Sequence, residues 1–124
     1  MAYVYFCNNP RNKCIIGDCV IRAISCALEK HWDAIYIDLA SEGFAMKDLP
    51  SSNSVWTRYL LNQGFSKYST LNDCTIKDFA NEHKYGTYLV CTGTHLVCIK
   101  NSDYYDTWDS GNEIMEFFFE REEY

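Results

Sequence analysis

The hydrophobic period changes once along the chain, and this change constrains the fold more than any other feature of the sequence. Before Tyr85, apolar residues recur at the spacing of amphipathic helices. After it, the segment GTYLVCTGTHLVCIKNSDYYDTWDSG is rich in β-branched and aromatic residues and is broken by turn residues, which predicts short strands. Helices followed by an antiparallel sheet indicate the α+β class.

Four helices are predicted in the first part of the chain. The apolar face of the first consists of Val20, Ala23, Ile24, Ala27 and Leu28. Asp18 stands where a residue can cap the start of this helix. The other helices are predicted at Trp32–Glu42, Val55–Gln63 and Thr75–His83. Gly43 is expected to end the second helix, and a loop at Asp48–Asn53 is expected to follow.

The strands are predicted to form the sheet on which these helices pack. They are expected at Ala2–Cys7, Thr87–Cys91, His95–Lys100, Tyr104–Trp108 and Glu113–Phe119. Asn101, Ser102 and Asp103 are predicted to form a hairpin turn. A chain of 124 residues is long enough for one compact domain with one core, so a single domain is expected over residues 1–124.

The charge balance argues against two classes of partner. The net charge is -6 and the pI is about 4.9, which does not favour a nucleic-acid or membrane surface bound by general electrostatics. The start of the chain lacks the pattern of a signal peptide, and no apolar run has the length of a membrane span. A cytoplasmic protein is therefore expected.

The seven cysteines point to free thiols in a reducing compartment rather than to a disulfide framework. The spacing of the first four, Cys7, Cys14, Cys19 and Cys26, contains no C-x-x-C pair. Zinc is therefore not favoured, and neither a metal nor another cofactor is expected.

Three residues form an ordered set that suggests a catalytic site. Cys19 opens the first predicted helix, where the helix dipole and free N–H groups favour a thiolate, although a buried apolar role such as that of Cys26 is the alternative. His95 starts a strand, and Asp106 follows it by 11 positions across one hairpin. Asp109 is a second candidate, because a three-residue turn would place it opposite His95. The set provides a nucleophile, a base and a group that orients the base.

Arg22 lies one helical turn after Cys19. Its charge suits an anion-binding role, but pairing with a carboxylate near the helix start is the expectation.

The order and setting of these residues resemble the papain-like cysteine peptidases, in a small form. In that family the Cys opens the central helix, the His starts a sheet strand, and an Asn or Asp on the next strand orients the His. The segment DTW at positions 106–108 resembles the family's Asn-Ser-Trp or Asn-Pro-Trp, in which the Trp shields the His–Asn pair. The resemblance implies Cys19 as nucleophile, His95 as base, Asp106 rather than Asp109 as orienting residue, and Trp108 as the shielding ring.

The chain departs from the family around the nucleophile. Val20 follows Cys19 where the family has Trp or Gly, and the family's oxyanion Gln is missing upstream. Asn12, seven residues before Cys19, is the expected side-chain donor to an oxyanion, with Asn8 and Asn9 as alternatives. The backbone N–H of the Cys would supply the other donor. The chain is also similar to small bacterial and phage proteins that carry Gly-Asp-Cys-Val-Ile-Arg-Ala-Ile and Tyr-Asp-Thr-Trp-Asp segments.

Three hypotheses about the function follow. The first is a thiol hydrolase that cleaves a peptide, isopeptide or side-chain amide bond of a protein or peptide through a thioester. The second is a catalytically inactive binding module on the same fold, whose acidic surface pairs with a basic partner protein as a phage or mobile-element inhibitor. A structural domain with a coincidental Cys, His and Asp is the third. Reactivity of Cys19 separates the first from the others.

Overall fold

The computed structural model of the chain describes residues 1–70 and 73–121. In chain order its elements are β1 (Tyr3–Tyr5), α1 (Cys19–Leu28), α2 (Trp32–Met46), α3 (Asn53–Asn62), β2 (Phe65–Ser69), α4 (Ile76–Glu82), β3 (Thr87–Cys91), β4 (Leu96–Lys100), β5 (Asp103–Asp106) and β6 (Phe117–Arg121). Residues 71–72 and 122–124 of the expected domain lie outside the described residues.

The strands form one mixed sheet in the order β1-β5-β4-β3-β6-β2. β1 runs parallel to β5, and the other neighbours are antiparallel. The chain is therefore mixed α+β, as predicted. The C-terminal strands β3 to β6 pair antiparallel, and the sheet as a whole is mixed because β1 adds a parallel pair. β1 precedes all the helices, and β2 lies between α3 and α4, where the sequence predicted no element.

Helices cover both faces of the sheet. Alternate residues of each strand point to opposite faces, so each face contributes to its own buried cluster. Leu89, Cys91, Leu96 and Cys98 belong to a buried cluster with residues of α1, α2 and α3. Their neighbours along the strands, Tyr88, Val90, Val97 and Ile99, belong to a second cluster with residues of α4. The two central strands β3 and β4 are thus buried on both faces, which makes them a rigid support for residues at their ends.

The hairpin between β4 and β5 is one residue tighter than predicted. Only Asn101 and Ser102 form its loop, with φ of 49° and 75°, and Lys100 pairs with Asp103. Positive φ at both central residues is typical of the type I′ turn that matches the twist of antiparallel strands. The resulting register pairs Cys98 with Tyr105.

The second helix is longer than predicted. It continues through Gly43 to Met46 and ends at Lys47, which takes a left-handed conformation. Gly43 is buried inside the helix because the chain that follows folds back over it: a Cβ there would lie 2.8 Å from the carbonyl oxygen of Asp48. A glycine that predicts a helix end is here a point of close backbone approach.

Two cysteines depart from the expectation of free thiols. Cys7 and Cys14 form a disulfide, with their Cα atoms 5.7 Å apart, within the span that such a bond bridges. The bond closes the loop between β1 and α1. Five cysteines have free thiols: Cys19, Cys26, Cys74, Cys91 and Cys98. In the part of the chain that the structure describes, no helix combines the length and apolarity needed to cross a membrane.

Candidate active site

Cys19 is the first residue of α1 and is partly exposed. The N–H groups of the first turn of a helix have no partners within the helix, so they and the helix dipole favour a negative charge at this point. α1 packs against β4, and His95 immediately precedes that strand. This packing brings the thiol at the helix start to the imidazole at the strand start.

His95 is held by Asp106 on the neighbouring strand. Its Nε2 lies 2.6 Å from Oδ2 of Asp106, which ends β5. The His95 side chain is 16% exposed and the Asp106 side chain is 1% exposed, so the pair is nearly withdrawn from water. The ring of Trp108 lies beside the imidazole, with 5.3 Å between the ring centroids. The structure therefore brings together His95, Asp106 and Trp108, the three residues to which the resemblance assigns the roles of base, orienting group and shielding ring.

The carboxylate of Asp106 is fixed by four donors. Besides His95, Oδ2 accepts from the hydroxyl of Ser110 at 2.7 Å, while Oδ1 accepts from the N–H of Thr107 at 2.8 Å and from Nη2 of Arg22 at 3.1 Å. Burial raises the pKa of the Asp106 carboxyl, but the bonds and charge of His95, with those of Ser110 and Thr107, hold that pKa below its ordinary value. An ionised carboxylate is thus fixed behind the imidazole.

Arg22 connects this carboxylate to the start of α1. Its Nη1 lies 2.5 Å from Oδ1 of Asp18, and Oδ2 of Asp18 accepts from the indole N–H of Trp32 at 2.8 Å. Asp18 occupies the N-cap position, but its side chain makes no capping hydrogen bond because the carboxylate is turned to Arg22 and Trp32. A buried chain of charges therefore runs from Asp18 through Arg22 to Asp106 and His95.

The pKa values of Cys19 and His95 move in opposite directions. Burial raises the pKa of the Cys19 thiol, but hydrogen bonding to His95 and to the N–H of Leu96, with the charges of His95 and Arg22, brings that pKa below its ordinary value. Burial lowers the pKa of His95, but the bonds and charges of Asp106 and Cys19 outweigh it and raise the pKa to about 9. These shifts favour a thiolate beside an imidazolium.

Two of the expected site residues lie elsewhere. Asp109, the alternative orienting residue, accepts from the hydroxyl of Tyr104 at 2.6 Å and from the N–H of Gly111 at 3.1 Å. Asn12, the expected oxyanion donor, is exposed in a turn in which its N–H donates to the carbonyl of Asn9. The disulfide beside that turn tethers this loop to the end of β1.

The other two candidates of this loop, Asn8 and Asn9, make hydrogen bonds to α1 and within the loop. Asn8 donates from Nδ2 to the hydroxyl of Ser25 at 2.7 Å, and Oδ1 of Asn9 accepts from the N–H of Arg11 at 2.8 Å. Neither residue lines the cavity described next.

A cavity of about 210 Å³ opens beside the thiol. Its walls are Gly17, Cys19, Val20, Ser51, Asn53, Trp56, Cys91, Gly93, Thr94, His95 and Leu96. We call it the catalytic cavity. Asn53, at the start of α3, is the residue of these walls that has a side-chain amide, and its Oδ1 accepts from the indole N–H of Trp56 at 3.1 Å. With the oxygen engaged in this way, the NH₂ group of Asn53 is the part of the amide left to donate.

No protein-family model, curated protein or solved structure matches the chain. Within residues 1–70 and 73–121, no three His, Cys, Asp or Glu side chains are gathered so as to hold a metal ion. The geometry of the site is therefore the basis for its proposed function.

The sequence did not indicate two of the residues around this site, Asn53 and Ser110, and it indicated only one of the two contacts of Arg22. Asn53 reaches the cavity only because the loop after α2 brings the start of α3 to the start of α1. The contacts of Arg22 and Ser110 with Asp106 depend on the same tertiary arrangement. For Arg22 the sequence predicted a pair with a carboxylate near the helix start, and that carboxylate is Asp18, four residues before it.

Proposed function

We propose that the chain is a cysteine hydrolase that cleaves a peptide, isopeptide or side-chain amide bond by acyl transfer to Cys19. The observation that carries this proposal is the position of His95, which is bonded to the buried Asp106 carboxylate at 2.6 Å, lines one cavity with Cys19 and lowers the pKa of the Cys19 thiol. Acyl transfer to a thiol requires a nucleophile, a base and a group that orients the base, in this arrangement. A papain-like fold is part of the proposal.

The reaction begins from the thiolate–imidazolium pair. The thiolate of Cys19 attacks the carbonyl carbon, and the carbonyl electrons move onto oxygen to form an oxyanion. As the oxyanion collapses, the carbon–nitrogen bond breaks and the imidazolium of His95 protonates the leaving amine. Neutral His95 then takes a proton from water, which attacks the thioester carbonyl. The carbon–sulfur bond breaks, so an acid is released and the thiolate returns.

The oxyanion needs donors where the negative charge develops. The backbone N–H of Cys19 lies in the first turn of α1 and is one such donor. Asn53, which lines the catalytic cavity, is the second donor in this proposal instead of Asn12. Trp108 covers one side of the His95 ring and limits the access of water to its bond with Asp106.

The test is the rate of iodoacetamide alkylation of each free cysteine against pH, resolved by peptide mass spectrometry. Cys19 should react fast below its ordinary pKa of 9.0, and replacement of His95 by Ala should move its reactive range to higher pH. Cys74 is the internal reference because it is also partly exposed, whereas burial and the charges of Glu82 and Asp78 raise its pKa. Cys26, Cys91 and Cys98 are buried and should react slowly in the folded protein.

Equal pH profiles for Cys19 and Cys74, or a Cys19 profile unchanged by His95→Ala, would overturn the catalytic proposal. The binding-module hypothesis would then take its place. A fast Cys19 that depends on His95 justifies a screen of amide substrates, in which Cys19→Ala should abolish turnover.

A further inference from the structure

A second cavity lies directly beside the catalytic cavity, on the α2 side of Cys19. It has a volume of about 240 Å³ and is lined by Gly17, Asp18, Val20, Ile21, Tyr36, Leu39, Pro50 and Ser51. We call it the side pocket. Gly17, Val20 and Ser51 line both cavities, so the side pocket is next to the place where a carbonyl would meet the Cys19 thiol.

The walls of the side pocket are mainly apolar. Val20 and Ile21 come from α1, Tyr36 and Leu39 from α2, and Pro50 from the loop that follows. Among the lining residues that the structure describes, Asp18 alone carries a charge, and its two carboxylate oxygens are already bonded to Arg22 and to Trp32. A cation in the pocket would therefore have to compete with a buried ion pair, whereas an uncharged apolar group would displace water from apolar walls.

The size of the side pocket also restricts its occupant. Cavities that bind drug-sized ligands typically measure roughly 300–1,000 Å³. A volume of about 240 Å³ is smaller and fits one side chain. We propose that the side pocket is the specificity subsite of the enzyme and takes the large, uncharged apolar side chain, such as that of Leu or Phe, of the residue next to the bond that Cys19 attacks. This inference rests on the proposed function.

The test uses small alkylating probes that carry one side chain each. Iodoacetyl amides of leucinamide, phenylalaninamide, serinamide and lysinamide all react in the same way: the thiolate forms a carbon–sulfur bond as the carbon–iodine bond breaks and iodide leaves. Second-order rate constants at Cys19 are measured by peptide mass spectrometry, with iodoacetamide as the probe without a side chain and Cys74 as the reference thiol. Cys19 should react with the Leu or Phe probe at least about tenfold faster than with the Ser probe, while Cys74 shows no such preference.

Two neighbouring residues of α2 provide a matched pair of variants. Tyr36 and Ile37 are 52% and 63% exposed, so serine at either position removes exposed apolar surface from the same helix. Only Tyr36 lines the side pocket. Tyr36→Ser should therefore reduce the Leu-to-Ser rate ratio severalfold, and Ile37→Ser should leave it unchanged. The comparison of probes on the wild-type protein tests the proposal without either variant.

The outcomes separate this inference from the function on which it rests. If iodoacetamide attacks Cys19 much faster than Cys74 but the Leu and Ser probes react equally, the subsite is wrong and the proposed function stands. A preference for the Lys probe, or an apolar preference that Tyr36→Ser and Ile37→Ser affect equally, also overturns the subsite. If Cys19 is no faster than Cys74 with iodoacetamide itself, both proposals fail.

Discussion

Arg22 shows how one side chain links α1, which carries Cys19, to β5, which carries Asp106. It is 5% exposed and lies between Asp18 and Asp106, to which it is bonded at 2.5 and 3.1 Å. Removal of one partner from a buried ion pair is costly because it leaves an uncompensated charge. The two carboxylates, at the start of α1 and the end of β5, therefore depend on Arg22 for their place in the interior.

Replacement of Arg22 by Gln is expected to have two effects. The free energy of unfolding should fall by about 3–5 kcal/mol, since two buried carboxylates lose their cation. The pKa of Cys19 should rise, because the charge of Arg22 is one of the influences that lower it. Urea unfolding measures the first effect, and the pH dependence of Cys19 alkylation measures the second.

Arg22→Lys is the control for this prediction, because it keeps the charge but loses the fork that bonds both carboxylates. It should retain more of the shift in the Cys19 pKa than Arg22→Gln, while still losing stability. Equal Cys19 profiles in wild type and Arg22→Gln would show that Arg22 has only a structural role.

At the residue scale the sequence predicted contacts within a helix or across a hairpin better than the position of a residue in an irregular loop. The spacing of Asp18 and Arg22 is local, so their ion pair was predictable. The choice between Asp106 and Asp109 depended on one residue in the hairpin: the loop of Asn101 and Ser102 sets the register, and Tyr104 holds Asp109 by its hydroxyl. The expectation for Asn12 failed because the conformation of an irregular loop does not follow from periodicity.

At the scale of elements, the turn that follows α2 determines which residues line the side pocket. The chain turns sharply after Lys47, and the backbone of Asp48, Leu49 and Pro50 lies against Gly43. The N–H of Asp48 donates to the carbonyl of Gly43 at 2.9 Å. This turn directs Pro50 and Ser51 to the start of α1, where they line the side pocket.

Gly43→Ala tests this close approach. Alanine has the higher helix propensity, worth about 1 kcal/mol over glycine in a helix interior. Its Cβ would lie 2.8 Å from the carbonyl oxygen of Asp48 and 3.1 Å from the nitrogen of Pro50, and both are backbone atoms that move only with the turn. Since such overpacking costs about 1–3 kcal/mol, we expect a net loss of unfolding free energy of about 1 kcal/mol.

Ser41→Ala, at an exposed position of the same helix, is the control and should leave stability nearly unchanged or slightly higher. Thermal or urea unfolding of the two variants gives the comparison. A Gly43→Ala protein more stable than the wild type would mean that the turn adjusts without cost.

At the scale of the whole molecule, the pairing of strands that lie far apart in the chain could not be predicted from the sequence. The periodicity of β3, β4 and β5 is strong and local, and these strands lie close to the predicted ranges. β1 is only three residues long and joins the sheet beside a strand that lies about a hundred residues later in the chain. β2, of sequence FSKYS, is exposed along most of its length at the edge of the sheet, so no alternation of burial marks it.

The ionisation of His95 and Cys19 also acts at the scale of the whole molecule, because it makes the free energy of unfolding depend on pH. The pKa of His95 is about 9 in the folded protein, above its ordinary value of 6.5. A histidine with a raised folded pKa stabilises the protein fully below the unfolded pKa, and this contribution is lost as pH rises through the folded pKa. Cys19 has the opposite linkage: its lowered pKa stabilises the protein above the ordinary value of 9.0, and this contribution is lost as pH falls through the folded pKa.

The contribution of His95 to the free energy of unfolding is measured in a Cys19→Ser background, which removes the pH dependence that the thiol itself adds. There Asp106 still raises the pKa of His95, although without the added effect of Cys19. The difference in unfolding free energy between Cys19→Ser and Cys19→Ser/His95→Gln should therefore be largest near pH 6 and shrink as pH rises to 9.5. Urea unfolding at a series of pH values measures this difference. A difference that stays constant over that range would mean that the bond between His95 and Asp106 is equally strong whether or not the imidazole is charged, and the resting thiolate–imidazolium pair would lose its support.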